Sequence, residues 1–324
     1  MDQNPLRAFL DTQGWMVLDG GLATTLEAKG ADLDNDLWSA KLLMDAPGMI
    51  RQVHEEYLAA GADCIITSTY QATLGAFARY GLSEKAGTAL LELSVLLACA
   101  ARTGFWSDQA TREGRRWPLV AASVGPYGAY LADGSEFRGD YGLEADALYA
   151  FHERRFKILA ESQADLLAVE TIPSWPETRA LLRLLDETPD VWAWMSFTCG
   201  DAAHLRDGSA LSRAVQACDQ QQNVAAIGVN CTHPSLIAEL IQVVKHHTDK
   251  PVVVYPNSGE AYDARLRDWA GQTPETDWVD AASGWVRLGA GALGGCCRTG
   301  PAEIARLRRA LEGMDHGPLT RSHR

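Results

Sequence analysis

Positive charge is in short supply along this chain. Its 324 residues carry 29 lysines and arginines against 42 aspartates and glutamates, a formal charge of −13. Such a surface repels a phosphate backbone, so nucleic-acid binding is not expected. Long apolar runs are also lacking: none approaches the roughly 18 to 20 residues of a membrane span. The opening Met-Asp-Gln-Asn-Pro-Leu-Arg has no basic segment leading into an apolar one, so neither a secretory signal nor a membrane partner is expected. Cysteine is sparse and odd in number, seven over the whole chain, which argues against a disulfide framework and suits a reducing, cytoplasmic setting. Low-complexity segments are missing as well. What remains is a chain that is 47% hydrophobic, enough to bury a large core.

That hydrophobic content is distributed with a clear alternation. Short apolar or β-branched runs predict strands at Met16 to Gly20, Cys64 to Tyr70, Leu119 to Ser123, Leu166 to Thr171, Val191 to Thr198, Ala225 to Asn230, Pro251 to Tyr255 and Gly289 to Gly295. Between them lie helical patterns, among them Met49 to Ala60, Ala145 to Ser162, Pro176 to Leu185, Ser235 to His246 and Pro301 to Leu311. Strand and helix in eightfold series describe an α/β fold, a single (β/α)8 TIM-type barrel over residues 1–314, with a doubly wound open sheet as the alternative. Thr103 to Trp117 reads as a polar surface loop, and residues 315–324 as a flexible tail.

A barrel gathers its active groups at the C-terminal ends of its strands. Polar residues stand there: Asp19-Gly20-Gly21 after the first run, Thr69-Tyr70-Gln71 after the second, Glu170-Thr171 after the fourth, Asn230-Cys231 after the sixth, and Asn257-Ser258 after the seventh. The eighth run ends in Gly-Gly-Cys-Cys-Arg, with Cys296 and Cys297 side by side. Three thiolates meeting at one point, Cys231 with that pair, would make a zinc site. A three-cysteine set leaves one position of a tetrahedral ion open, the arrangement of a catalytic rather than a structural zinc. Cys64, Cys99, Cys199 and Cys218 sit in apolar or helical settings and read as packing residues. His233 is a fourth ligand, the cap of the next helix, or a residue facing solvent.

At these positions the sequence resembles the homocysteine S-methyltransferase family over nearly its whole length. The resemblance is carried by Asp-Gly-Gly-Leu-Ala-Thr-Thr-Leu-Glu from Asp19, Thr-Ser-Thr-Tyr-Gln-Ala from Thr67, the segment from Ser123 to Phe137, Val-Glu-Thr-Ile-Pro from Val169, Val-Asn-Cys, Tyr-Pro-Asn-Ser-Gly-Glu from Tyr255, and Gly-Gly-Cys-Cys-Arg. It implies a barrel holding Zn²⁺ on Cys231, Cys296 and Cys297, and methylation of homocysteine to methionine. The Tyr-Pro-Asn-Ser-Gly-Glu wording is closer to the branch that takes its methyl from a sulfonium, S-methylmethionine or S-adenosylmethionine. The chemistry is coherent on its own terms, because a thiol must lose its proton to be nucleophilic and metal ligation enforces that loss.

The remaining candidates bind substrate. A carboxylate directly after the apolar Leu-Leu-Ala-Val run, Glu170, needs a cation, which the homocysteine ammonium supplies. Asp19 either joins it or caps a turn. Gly20 and Gly21 either bring backbone N–H groups to the amino-acid carboxylate or supply positive φ. Thr69, Tyr70 and Asn230 either line the pocket or orient their neighbours. On the donor side stand Ser258, Asn257 and Glu260; Tyr127 and Tyr130 are either aromatic partners for a sulfonium or ordinary half-buried rings beside a Gly-Pro turn. Arg298 either offsets a negative metal site or pairs with a rim carboxylate. Two other function classes compete: a phosphate-ligand barrel enzyme using Gly291 to Gly295 as an anion cradle, and a non-catalytic vicinal-thiol redox or zinc sensor.

Overall fold

The fold is described from a computed structural model covering residues 3–33, 35, 37–263, 268–270 and 277–314. Strands β1 (Met16–Val17), β2 (Cys64–Ile66), β3 (Leu119–Val124), β4 (Leu166–Ile172), β5 (Ala193–Phe197), β6 (Val224–Asn230), β7 (Val252–Tyr255) and β10 (Ala290–Leu293) form one parallel sheet in the order β1-β10-β7-β6-β5-β4-β3-β2. A separate antiparallel hairpin, β8 (Ala261–Asp263) with β9 (Asp268–Ala270), follows β7. The sheet is closed. Leu18 bridges Cys64 in parallel, with Asp63 N–H donating to Val17 O at 2.7 Å and Asp19 N–H to Cys64 O at 3.0 Å. That seam joins first strand to second and decides for the barrel over the doubly wound sheet.

Alternation along each strand builds two cores. Leu119, Ala121, Leu166, Ala168, Trp194, Val253 and Ala292 point into the barrel, where Leu6 and Phe9 join them; Val120, Leu167, Val169 and Val252 point outward to the helices. Trp194 Nε1 donates to the Tyr255 hydroxyl at 2.9 Å, so the largest interior ring keeps its polar atom satisfied.

Several boundaries differ from the sequence reading. The second strand stops at Ile66 rather than Tyr70, because Thr67 and Thr69 turn their hydroxyls toward β3: Thr69 Oγ1 donates to Ser123 O at 2.7 Å. Thr103 to Trp117 is not wholly loop: a helix Glu84–Ser107 runs through its first part and a short turn Gln109–Arg112 follows. That helix also corrects the expectation on apolar runs. By length and composition it could cross a membrane, but its face Leu91, Val95, Ala98, Ala101 and Phe105 is buried, and it packs against the helices Pro47–Ala60 and Ala145–Ala160 and strand β3. The predicted helix at Ser235 begins as a 3-10 turn, Pro234–Leu236, and continues as Ile237–His247. The tail at 315–324 lies outside the described residues.

Candidate metal centre and substrate cavity

The two cysteine loops are pinned peptide by peptide. After β10, Gly294 N–H donates to Val254 O (3.1 Å), Gly295 N–H to Asp19 O (3.0 Å) and Cys296 N–H to Pro256 O (2.8 Å). The Gly294 and Gly295 N–H groups are therefore engaged within the barrel mouth and are not free for the anion cradle of the competing phosphate-ligand reading. Cys231 N–H donates to Tyr255 O at 3.1 Å, and its backbone is left-handed at φ +47°. A Cβ on Gly21 would stand 2.7 Å from Cys296 O, so glycine there lets the first loop close on the cysteine loop.

Held this way, the Sγ atoms of Cys231, Cys296 and Cys297 lie within 4.8 Å of one another, with Cys231 and Cys297 at 3.6 Å. Tetrahedral zinc with Zn–S near 2.3 Å sets sulfurs about 3.8 Å apart, so the set fits Zn²⁺. Among the described residues it is the one cluster of three or more candidate ligands. The Cys231 and Cys297 thiols hold the Cys296 sulfur well below the usual thiol range, and donating to it pushes Cys231 up. All seven cysteines are free.

Beside the sulfurs a cavity of about 690 Å³ opens, lined by Gly20, Gly21, Thr67, Glu170 and Tyr255 among others. Glu170 accepts from Ser123 Oγ at 2.5 Å, and burial pushes its carboxyl up to about 8, with the nearby Cys296 adding to the rise. Asp19 accepts from Ile66 N–H at 2.7 Å through one oxygen; its other, buried oxygen meets no partner among the described residues. Burial raises Asp19 well above its ordinary value, with Glu170 adding to it. Two adjacent buried carboxylates are costly without a cation.

With this geometry in view, comparison with known proteins is decisive. Residues 16–311 match the family described as homocysteine S-methyltransferase. The chain is 48% identical to the homocysteine S-methyltransferase YbgG of Bacillus subtilis, over 95% of this chain and 99% of that one. It is 46% identical to the homocysteine S-methyltransferase of Escherichia coli, over 94% and 98%. The chain belongs to the homocysteine S-methyltransferase family. A crystal structure of the Escherichia coli homocysteine methyltransferase MmuM in a metallated form superposes with a TM-score of 0.85 at 45% identity, covering 94% of this chain and 99% of that one.

Within this homocysteine S-methyltransferase fold the other expected residues take distinct places. Asn230 is fully buried behind the sulfurs: its Oδ1 accepts from Thr171 N–H (2.8 Å) and Ser196 Oγ (2.6 Å), and its Nδ2 donates to Thr171 Oγ1 (2.7 Å) and faces Cys296 Sγ at 3.9 Å. It orients rather than lines, as does Thr69. Gly20 and Gly21 do not need positive φ; Gly21 N–H donates to Thr299 O at 2.9 Å, so it is already engaged. Ser258 N–H donates to Cys297 O at 3.2 Å and its hydroxyl faces Glu260, which takes the Arg298 guanidinium at 2.8 Å. Ser258, Glu260 and Arg298 thus tie the β7 loop to the cysteine loop, and Arg298 has its rim carboxylate. His233 Nδ1 accepts from Ser235 N–H at 3.2 Å, the capping role, and is not part of the sulfur cluster.

Of the two readings of Tyr127 and Tyr130, the structure takes the packing one. Tyr127 and Tyr130 pack with Phe151 at 4.9 and 5.3 Å between centroids, and Arg79 covers Tyr130 at 4.4 Å; neither ring lines the cavity. Trp38, Tyr70 and Phe137 line it instead. Trp38 and Phe137 carried no periodic or strand-end signal, because they reach the mouth on 3-10 turns within loops.

Proposed function

We propose that this chain moves a methyl group from a sulfonium donor, S-methylmethionine or S-adenosylmethionine, to the thiolate of homocysteine, yielding methionine. The observation that carries the reading is the meeting of Cys231, Cys296 and Cys297 at the edge of a cavity that also holds Glu170. Zn²⁺ bound on the three sulfurs supplies the thiol's deprotonation and a fixed place for the sulfur. Glu170 and Asp19 receive the homocysteine ammonium, which offsets the cost of their burial. Asn230 keeps Cys296 and the Thr171 peptide in register, while Gly20 and Gly21 form a wall that no side chain could share with Thr299 and Cys296. Ser258 braces the Cys297 loop. In the reaction a sulfur lone pair forms the new S–CH3 bond as the donor's C–S bond breaks, its electron pair returning to the donor sulfur and leaving a neutral thioether. No general base on the chain is needed once the thiolate is formed. The chain's contribution is alignment of the two sulfurs about the methyl carbon.

Residues 1–314 act as one catalytic unit in this reading, and seven free thiols suit a reducing compartment such as the cytoplasm. The test is an assay of zinc-loaded protein with homocysteine against S-methylmethionine, S-adenosylmethionine and betaine, with methionine measured by mass spectrometry. Methionine from a sulfonium and none from betaine is expected; no methionine from any donor contradicts the proposal.

A further inference from the structure

The loop after β3 carries a carboxylate that the reaction as described leaves unused. Glu136 stands on the 3-10 turn Ser135–Phe137, is only 9% exposed, and lines the same cavity as the three cysteines. Its Oε2 is buried and meets no hydrogen-bond partner, and no lysine or arginine is ion-paired with it, among the described residues. The adjacent Arg138 instead lies 3.6 Å from Asp133 and 3.7 Å from Asp140.

The turn is firmly built. Asp133 accepts from Ser135 N–H at 2.9 Å and from the Ser135 hydroxyl, and Arg138 donates to that hydroxyl at 2.7 Å. A Cβ on Gly128 would lie 2.3 Å from Glu136 N, so the backbone of Glu136 is seated directly against the short helix Tyr127–Leu131. On the same helix Gln71 is anchored by its Nε2, which donates to Ala129 O at 2.9 Å. That bond fixes the amide's orientation, and the Gln71 Oε1 is then a second buried acceptor without a donor on the cavity wall, in a residue also 9% exposed. Tyr70 lies close enough to Glu136 for the carboxylate's charge to raise its phenol.

Two orphan acceptors, one of them a carboxylate, call for a ligand that brings both positive charge and N–H groups. A sulfonium has the charge but no N–H. An ammonium has both, with three donors. The homocysteine ammonium is assigned to Glu170 and Asp19, which leaves the other amino-acid substrate. We propose that Glu136 and Gln71 bind the α-ammonium group of the sulfonium donor, so that the donor's amino-acid end, and not its sulfonium alone, determines specificity. The assignment rests on the methyl-transfer reading above. Burial also pushes the free Glu136 carboxyl up to about 7, as expected of a carboxylate waiting for its counter-ion.

The test compares S-methylmethionine with its deamino analogue, 4-(dimethylsulfonio)butyrate, by calorimetric binding to zinc-loaded wild-type protein and to Glu136→Gln, which keeps the shape and removes the charge. Loss of one partner of a buried charged pair predicts S-methylmethionine binding weaker by more than about thirtyfold, with the analogue changed by less than about threefold, within 0.7 kcal/mol. Zinc content and the homocysteine KM stay at wild-type values, and the variant melts no lower, since an unpaired buried charge has gone. Equal weakening of both ligands, no weakening, a shift in the homocysteine KM instead, or a lowered melting temperature overturns the assignment. A wild-type protein that binds neither sulfonium and forms no methionine contradicts the methyl-transfer reading itself, and is seen before any variant is compared.

Discussion

Of the five described non-glycine residues with left-handed backbone that line the cavity, three stand beside the sulfur cluster: Thr171 at φ +61°, Cys231 at +47° and Arg298 at +66°. Each follows or closes a strand end next to a sulfur, and each conformation costs on the order of 1 to 3 kcal/mol. Nothing in residue type announces this. Asn230 makes part of it tolerable by accepting from the Thr171 N–H while its amide faces Cys296 Sγ. Groups that orient a ligand are worth roughly 10- to 100-fold in metal affinity, so Asn230→Ala should weaken zinc by that order in a chelator competition; unchanged affinity would confine Asn230 to the peptide it holds. Glu170 is a binding group in this account. Glu170→Gln should keep its zinc, raise the homocysteine KM by about tenfold or more, and change 4-mercaptobutyrate, which lacks the amine, far less. Equal losses with both thiols, or loss of zinc, would make Glu170 structural or a ligand.

At the scale of elements, most strand bounds were legible because alternation and β-branching report burial, and the main misses lie at the ends of the first, second and eighth strands, which stop at Val17, Ile66 and Leu293. The β-branched composition runs on past Ile66 into Thr67 and Thr69, although only the Thr67 N–H still pairs with β3, at Ala121 O (3.0 Å), while Thr69 reaches β3 through its hydroxyl. The helix Glu84–Ser107 was hidden by the polar residues of its last turns, and the cysteine triad was legible because sulfur at strand ends has few other uses. Opposite the mouth, Asp63 clamps elements far apart in sequence: it accepts from Val17 N–H at 3.1 Å and from Arg308 at 2.9 and 3.0 Å, and lies 3.3 Å from Arg115. Asp63 is 1% exposed. Removing one partner of a buried charge cluster costs about 3 to 5 kcal/mol, so Asp63→Ala should shift the urea midpoint accordingly while bound zinc stays at the wild-type stoichiometry; an unchanged midpoint would mean that the clamp is dispensable.

For the whole molecule, one buried histidine sets a pH limit. His54, within the helix Pro47–Ala60, is fully buried with both ring nitrogens unpartnered among the described residues, and burial lowers it to about 4. The folded state keeps it neutral while the unfolded chain takes up a proton near 6.5, so its contribution is complete above that pH and is lost as pH falls toward 4. The loss totals about 3 kcal/mol. His54→Leu should therefore lose less stability than wild type between those two pH values in thermal unfolding; parallel curves would refute the assignment. The barrel as a whole was readable from eightfold alternation, its closure only from the Leu18–Cys64 seam. The central claim is that Cys231, Cys296 and Cys297 together hold the metal on which methyl transfer depends, and it is tested most directly by measuring zinc content and methionine formation side by side in wild type and in the three single cysteine-to-alanine variants. The account predicts about one zinc per wild-type chain, as a single tetrahedral site requires, with zinc and activity lost together in every variant while the circular dichroism of the barrel is kept. Full zinc retention in all three variants would contradict it.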